Sequence, residues 1–366
     1  MLKAVIGGLA LFLFLTVASA RAEEIIPPEL LSIAPGGKVA RERMVITGSE
    51  SMTPFTTAIA ARLAERWRLP APEVQPVGTL AGFQRFCAGI GADYPDIVAA
   101  TRRIRQSEFD RCLDAGIADL IEVPIGFSAL AFVGRLVDAP VALTPRVLYQ
   151  ASAAEVPQGQ DLVANPHQRW RDIDKSLPAD EIRLLIPGRA TGTHSFFDDV
   201  FLQGGCRKFP VIKLIFDERD RVRLCITPRA DGRVVDLGVF YEDALPKALA
   251  ESPPGTIGML PYFTALAHQD TLRILSVNGV LPSPRTIADD SYEGVQTLYY
   301  YVKRAHMRSH EGNGVVRGLR QFIVEATSEE ARSGRGYLQA AGLIPLPADV
   351  RAEERRSALR LERFTR

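Results

Sequence analysis

Three separated stretches of this chain repeat one arrangement: a short β-type run, a turn of Gly, Ser and Thr, then a helix with one apolar face. They are Met44-Val45-Ile46-Thr47-Gly48-Ser49-Glu50-Ser51-Met52-Thr53, Val77-Gly78-Thr79-Leu80-Ala81-Gly82-Phe83 and Pro187-Gly188-Arg189-Ala190-Thr191-Gly192-Thr193. A helix start presents backbone N–H groups with no intrahelical partner, together with the positive end of the macrodipole. Hydroxyls beside such a start make an anion site that needs no metal. One such turn is an ordinary N-cap. Three of them point to an oxyanion gripped from several sides.

The first residues read as an export signal. Lys3 supplies the positive end, residues 4–18 an apolar run, and Ala18-Ser19-Ala20 or Ala20-Arg21-Ala22 the small-x-small cleavage site. Cleavage after Ala20 or Ala22 places the mature chain outside the inner membrane, in the periplasm for a bacterial source. No Cys follows the apolar run to carry a lipid anchor. About 340 residues remain, more than one core usually serves, so two lobes are expected. The formal net charge of +1 argues against nucleic acid or another polyanion as a partner.

The four cysteines are Cys87, Cys112, Cys206 and Cys225. An even number in an oxidising compartment reads as disulfides. Sequence neighbours pair most simply as Cys87–Cys112 and Cys206–Cys225, each closing a loop worth roughly 3 kcal/mol in the chain-entropy model. Two other connectivities, or four buried thiols, stay open. No CxxC pair is present to make a zinc site.

Along the chain, residues 23–42 read as an irregular leader. Strands are expected at 44–47, 74–77, 96–100, 180–186 and 255–260, and helices at 53–67, 80–87, 108–115 and 193–202. Residues 211–216 and 222–226 read as a hairpin, 314–326 and 331–341 as closing helices. The apolar run 120–135, interrupted by Pro124 and Gly126, is long enough to carry the chain from one lobe to the other, and 297–302 to carry it back. Strands alternating with helices make an α/β architecture of largely parallel sheets. The tail, 349–366, holds six Arg and four acids and reads as a solvated helix.

In this order the motifs resemble the substrate-binding proteins of phosphate ABC transporters, the PstS-like family. The resemblance runs from Val45 to Leu343. It is carried by Ile46-Thr47-Gly48-Ser49, Val77 to Phe83, Asp96-Ile97-Val98-Ala99-Ala100-Thr101-Arg102, Trp170-Arg171-Asp172-Ile173, Thr191-Gly192-Thr193, Gly255-Thr256-Ile257-Gly258 and Tyr299-Tyr300-Tyr301-Val302. It implies a two-lobed type II periplasmic-binding-protein fold with a ligand cleft at the hinge. Lobe 1 would comprise 41–128 with 300–346, lobe 2 129–299, and 347–366 a charged tail. It further implies a monomer that captures inorganic phosphate, or a related oxyanion, for ABC permease transmembrane subunits, with no cofactor.

Residue by residue, the resemblance assigns Ser51 a hydroxyl contact, Met52 a backbone N–H, and Thr79 the hydroxyl of the second loop. Thr191, Gly192 and Thr193 match the third. Thr101 falls where many members carry an Asp that accepts the proton of bound phosphate. A carboxylate only accepts, whereas Thr both donates and accepts without charge. The exchange opens sulfate, molybdate, tungstate and organic phosphates as ligands. The better-known members also place an Arg where Pro187 or Gly188 stands, which leaves Arg102 or Arg189 to supply a charge-assisted contact.

Blander readings stand beside these. Ser49, Ser51 and Thr53 also suit a cap cluster, Arg189 also suits a pair with Asp198 or Asp199, and Trp170 suits a core anchor. Glu50 reads as surface, because a carboxylate repels an anion unless an Arg pairs with it. An exported phosphohydrolase would need Ser51 or Thr193 as nucleophile, yet there is no Gly-x-Ser-x-Gly elbow and no His-Glu-x-x-His. His194 lies beside the third turn, and His306 and His310 are four apart with no hydrolase motif between them.

Overall fold

The computed structural model describes residues 38–307 and 313–365. The export signal, most of the leader and His310 lie outside them. The strands are β1 (Val39–Arg41), β2 (Val45–Gly48), β3 (Glu73–Pro76), β4 (Ile97–Ala100), β5 (Leu120–Arg135), β6 (Glu155–Gln158), β7 (Asp161–Ala164), β8 (Arg183–Ile186), β9 (Val234–Asp236), β10 (Thr256–Pro261), β11 (Leu272–Leu275), β12 (Val295–Lys303) and β13 (Gly314–Val316). Nine of them form one sheet in the order β3-β2-β4-β12-β5-β10-β8-β9, with β11 on β5.

Each end of that sheet is parallel: β3, β2 and β4 at one end, β10, β8 and β9 at the other. The two long antiparallel strands in the middle join them. β12 pairs with β4 and with the first part of β5, while the remainder of β5 pairs with β10 and β11. Residues 120–135 thus form one continuous strand despite Pro124. The register shifts between Leu298 and Tyr299, so that Gly126 and Pro124 face successive residues of β12 and Ile125 is the extra one. A bulge is where a residue without an N–H is tolerated in a sheet interior.

The architecture is two-lobed α/β, and β5 and β12 link its two ends. One apolar cluster gathers Ala129 to Tyr292 with Ile344, and two others gather residues before Ile125 and after Leu298. Trp170 is fully buried and donates its indole N–H to Gly255 O at 2.9 Å. Both nearest-neighbour disulfides are present, Cys87–Cys112 and Cys206–Cys225.

Several local expectations are overturned. The expected hairpin is two helices, Pro210–Lys213 and Glu218–Ile226. Pro210 occupies the first helical position and the Asp217 carboxylate accepts from Asp220 N–H at 2.9 Å. Both are helix-start signals, and they outweigh the β-branched side chains that follow. Part of the leader is ordered, since β1 pairs in parallel with β13, so 314–316 is strand and the closing helix begins only at Leu319. The second closing helix is broken into Glu329–Arg332 and Tyr337–Ala341, with Gly334 and Gly336 between.

The tail is a packed element. Its helix, Ala348–Leu359, buries Arg355 and Ala358, and Leu361 and Phe364 follow into the core. Phe364 meets Phe109 and Tyr301 edge-on at 5.4 and 5.9 Å between ring centroids.

Candidate functional site

The three turns converge. Ser51 sits in a 3-10 turn, Glu50–Met52, that leads into the helix Thr53–Trp67. Thr79 opens the helix Thr79–Phe86, and Thr101 directly follows β4. From the other half, Thr191 caps the helix Gly192–Phe196, which runs on as helical turns to Cys206. Thr79, Thr101, Thr191 and Thr193 are all buried.

Thr79 Oγ1 and Thr101 Oγ1 lie 3.5 Å apart. Gly192 is pressed against this pair, since a Cβ there would come within 2.4 Å of Thr79 Oγ1 and 2.6 Å of Thr101 Oγ1. Gly78, at φ +90°, packs so close to Ala190 that a Cβ would meet its carbonyl oxygen at 1.8 Å. Only glycine satisfies that backbone and that approach. Tyr241 donates its hydroxyl to Thr193 Oγ1 at 3.1 Å, and Ser51 donates to Glu242 Oε1 at 3.2 Å. An Arg105–Asp199 ion pair also joins the two halves. The lobes therefore meet in a closed arrangement.

The remaining expected residues are engaged elsewhere. Met52 is buried in the core and donates its N–H to Ser49 O at 3.1 Å. The Thr191 hydroxyl accepts from His194 N–H at 3.0 Å and donates to Gly188 O at 2.8 Å. Arg102 forms a two-pronged pair with Glu108 at 2.7 and 2.8 Å. Arg189 is exposed and lines an outer hollow of about 610 Å³ with His194 and Asp198. Asp199 pairs with Arg105, not Arg189, and burial pushes the Asp198 carboxyl up to about 6 against the pull of His194.

Glu50 is not a surface residue. It lines a cleft of about 990 Å³ that begins at Ser51 and Thr101. Burial pushes its carboxyl up to about 7, and the charge of Glu242 adds to the rise. Glu242 is raised as well, mainly by burial, although Thr264 and Ser51 donate hydrogen bonds to it. Tyr241 and Glu242 went unnoticed in the sequence. They begin the helix Tyr241–Ala250, whose only signal is an acidic first turn.

A PBP superfamily domain matches residues 34–330. The chain belongs to the PBP superfamily. Among PBP-superfamily relatives, the protein SphX of Synechococcus elongatus is 24% identical over 322 residues, 87% of this chain and 82% of that protein. The phosphate-binding protein PstS of Staphylococcus epidermidis is 24% identical over 301 residues, 80% of this chain and 77% of its own length. Among solved structures, an ABC-type phosphate transport receptor from Vibrio cholerae matches with a TM-score of 0.57 at 15% identity, covering 83% of this chain and 100% of that one. A substrate-binding protein from Clostridium perfringens with bound phosphate gives a TM-score of 0.56 at 17% identity, covering 83% and 100%. These structures share the two-lobed fold of this PBP-superfamily chain.

Proposed function

We propose that this PBP-superfamily chain is an exported, non-catalytic receptor that captures inorganic phosphate between its lobes and passes it to an ABC permease. The observation that supports the reading is the approach of Gly192 and Thr193 from one half to the buried Thr79 and Thr101 of the other, with Ser51 lining the adjoining cleft beside Thr101. Helix starts and neutral hydroxyls supply donors to an oxyanion, each bond to a charged group contributing about 1.5–3 kcal/mol. The names of the PstS and transport-receptor relatives support phosphate as the ligand.

In this reading lobe 1 is 41–128 with 300–346, lobe 2 is 129–299, and the mature chain starts after Ala20 or Ala22 and works as a monomer in the periplasm. The contact set is the hydroxyls of Ser51, Thr79, Thr101 and Thr193, with Arg102 and Arg189 outside it.

Calorimetric titration of mature, ligand-stripped protein with phosphate, sulfate, molybdate and arsenate at pH 6 and 8 tests the reading. One-to-one phosphate binding with sulfate excluded is expected. Sulfate or molybdate preferred over phosphate would change the ligand, and binding of no oxyanion would overturn the receptor role. Turnover of a phosphate ester would move the chain to a hydrolase class.

A further inference from the structure

An inorganic anion needs little room and positive surroundings, and the cleft beside Ser51 and Thr101 offers the opposite of both. Its volume, about 990 Å³, is at the top of the range of pockets that hold organic ligands. Its lining includes three carboxylates, Glu50, Glu242 and Asp243, and among the described residues no Lys, Arg or His. Glu50 Oε1 is buried without a hydrogen-bond partner among those residues. Once these acids ionise, an anion with no compensating charge would meet a negative wall.

Two further features of the lining ask for a ligand. Gln296 is only 5% exposed and its Nε2 has no partner among the described residues, although it lines the cleft from β12. A buried donor left unpaired costs free energy, so an acceptor on a ligand would satisfy it. Phe240 and Phe263 also line the cleft, yet they are 78% and 44% exposed. Aromatic faces beside carboxylates are the combination that holds an ammonium group.

Building on the phosphate reading, we propose that the cleft accepts a zwitterionic organophosphate. The phosphoryl group sits at the hydroxyls of Ser51 and Thr101, and a short alkyl-ammonium arm reaches the carboxylates of Glu50 and Glu242. The arm's positive charge neutralises the acidic wall, and its methylenes cover the exposed aromatic faces. Gln296 donates to an oxygen of the ligand from β12.

The test is calorimetric titration of the mature protein at pH 8 with inorganic phosphate, propyl phosphate and 2-aminoethyl phosphate. The two esters have nearly the same length and differ in the terminal charge. We expect 2-aminoethyl phosphate to bind at least tenfold more tightly than propyl phosphate, and that preference to collapse towards unity in Glu242→Gln and in Glu50→Gln. Equal affinity for the two esters, or exclusion of both while phosphate binds tightly, overturns the proposal and leaves the phosphate reading standing. Failure of all three phosphoryl compounds to bind overturns both. The comparison of esters on the unaltered protein decides the matter even if a variant does not fold.

Discussion

The Ser51 hydroxyl donates to Glu242 Oε1 at 3.2 Å, from the first anion turn to the opposite half of the molecule. That bond holds a carboxylate of that half beside Glu50, so two acids face each other in a half-dry cleft. Like charges brought together out of water disfavour ionisation.

A pH dependence follows. The Glu50 carboxyl lies at about 7 in the folded protein against 4.5 when unfolded. The folded state therefore holds a proton that the unfolded state releases between these values. Stability from this group is fully present below pH 4.5 and is lost as pH rises to about 7. Glu50→Gln removes that loss. The variant should match the parent near pH 4.5 and exceed it at pH 8 by on the order of 1–3 kcal/mol. Urea unfolding across this range checks it, and parallel stability curves would contradict it.

Gly192→Ala should impair closure. The added methyl would strike the hydroxyls of Thr79 and Thr101, which lie in the other half. Phosphate affinity should fall about tenfold or more, roughly 1.4 kcal/mol. The unfolding midpoint should move little, because the clash is relieved by opening the lobes. Calorimetry and small-angle scattering with ligand present read the two effects; undiminished affinity would count against the site.

Arg102 faces a different fate from the one its place in the motif implies. Its guanidinium is held by Glu108, which is 4% exposed. Arg102→Ala would leave that buried carboxylate unpaired and should destabilise by about 3–5 kcal/mol. The double variant Arg102→Met with Glu108→Leu should recover much of this. Phosphate affinity should change far less than stability. A large loss of affinity with stability intact would restore Arg102 to the contact set.

Phe364→Ala tests the tail. The ring is 6% exposed and contacts Phe109 and Tyr301. Truncating it should cost about 3–5 kcal/mol, read as a lower thermal midpoint. An unchanged midpoint would mean that the tail is solvated after all.

Much of the architecture is legible in local sequence because each signal needs only neighbouring residues. The helix Thr53–Trp67 follows from the spacing of Phe55, Ile59 and Leu63, and β4 from its unbroken apolar run. Two of the misread stretches were decided by groups outside the runs that suggested the reading. In 211–226 the decisive groups, Pro210 and Asp217, stand just outside the apolar residues that suggested strands. In 314–316 a strand forms because β1, 275 residues earlier at Val39↔Gly314, supplies its hydrogen bonds.

By itself the sequence determined the strand–turn–helix units and the hydroxyls that gather at the lobe junction, while the choice among the cysteine pairings fell to the structure. Tertiary structure alone decided how those hydroxyls are surrounded. It turned Arg102 to Glu108, left Arg189 at the surface, and set Glu50 beside Glu242, 192 positions later. Such pairings leave no local periodicity, because burial and charge act through space and depend on which faces the folded lobes bring together.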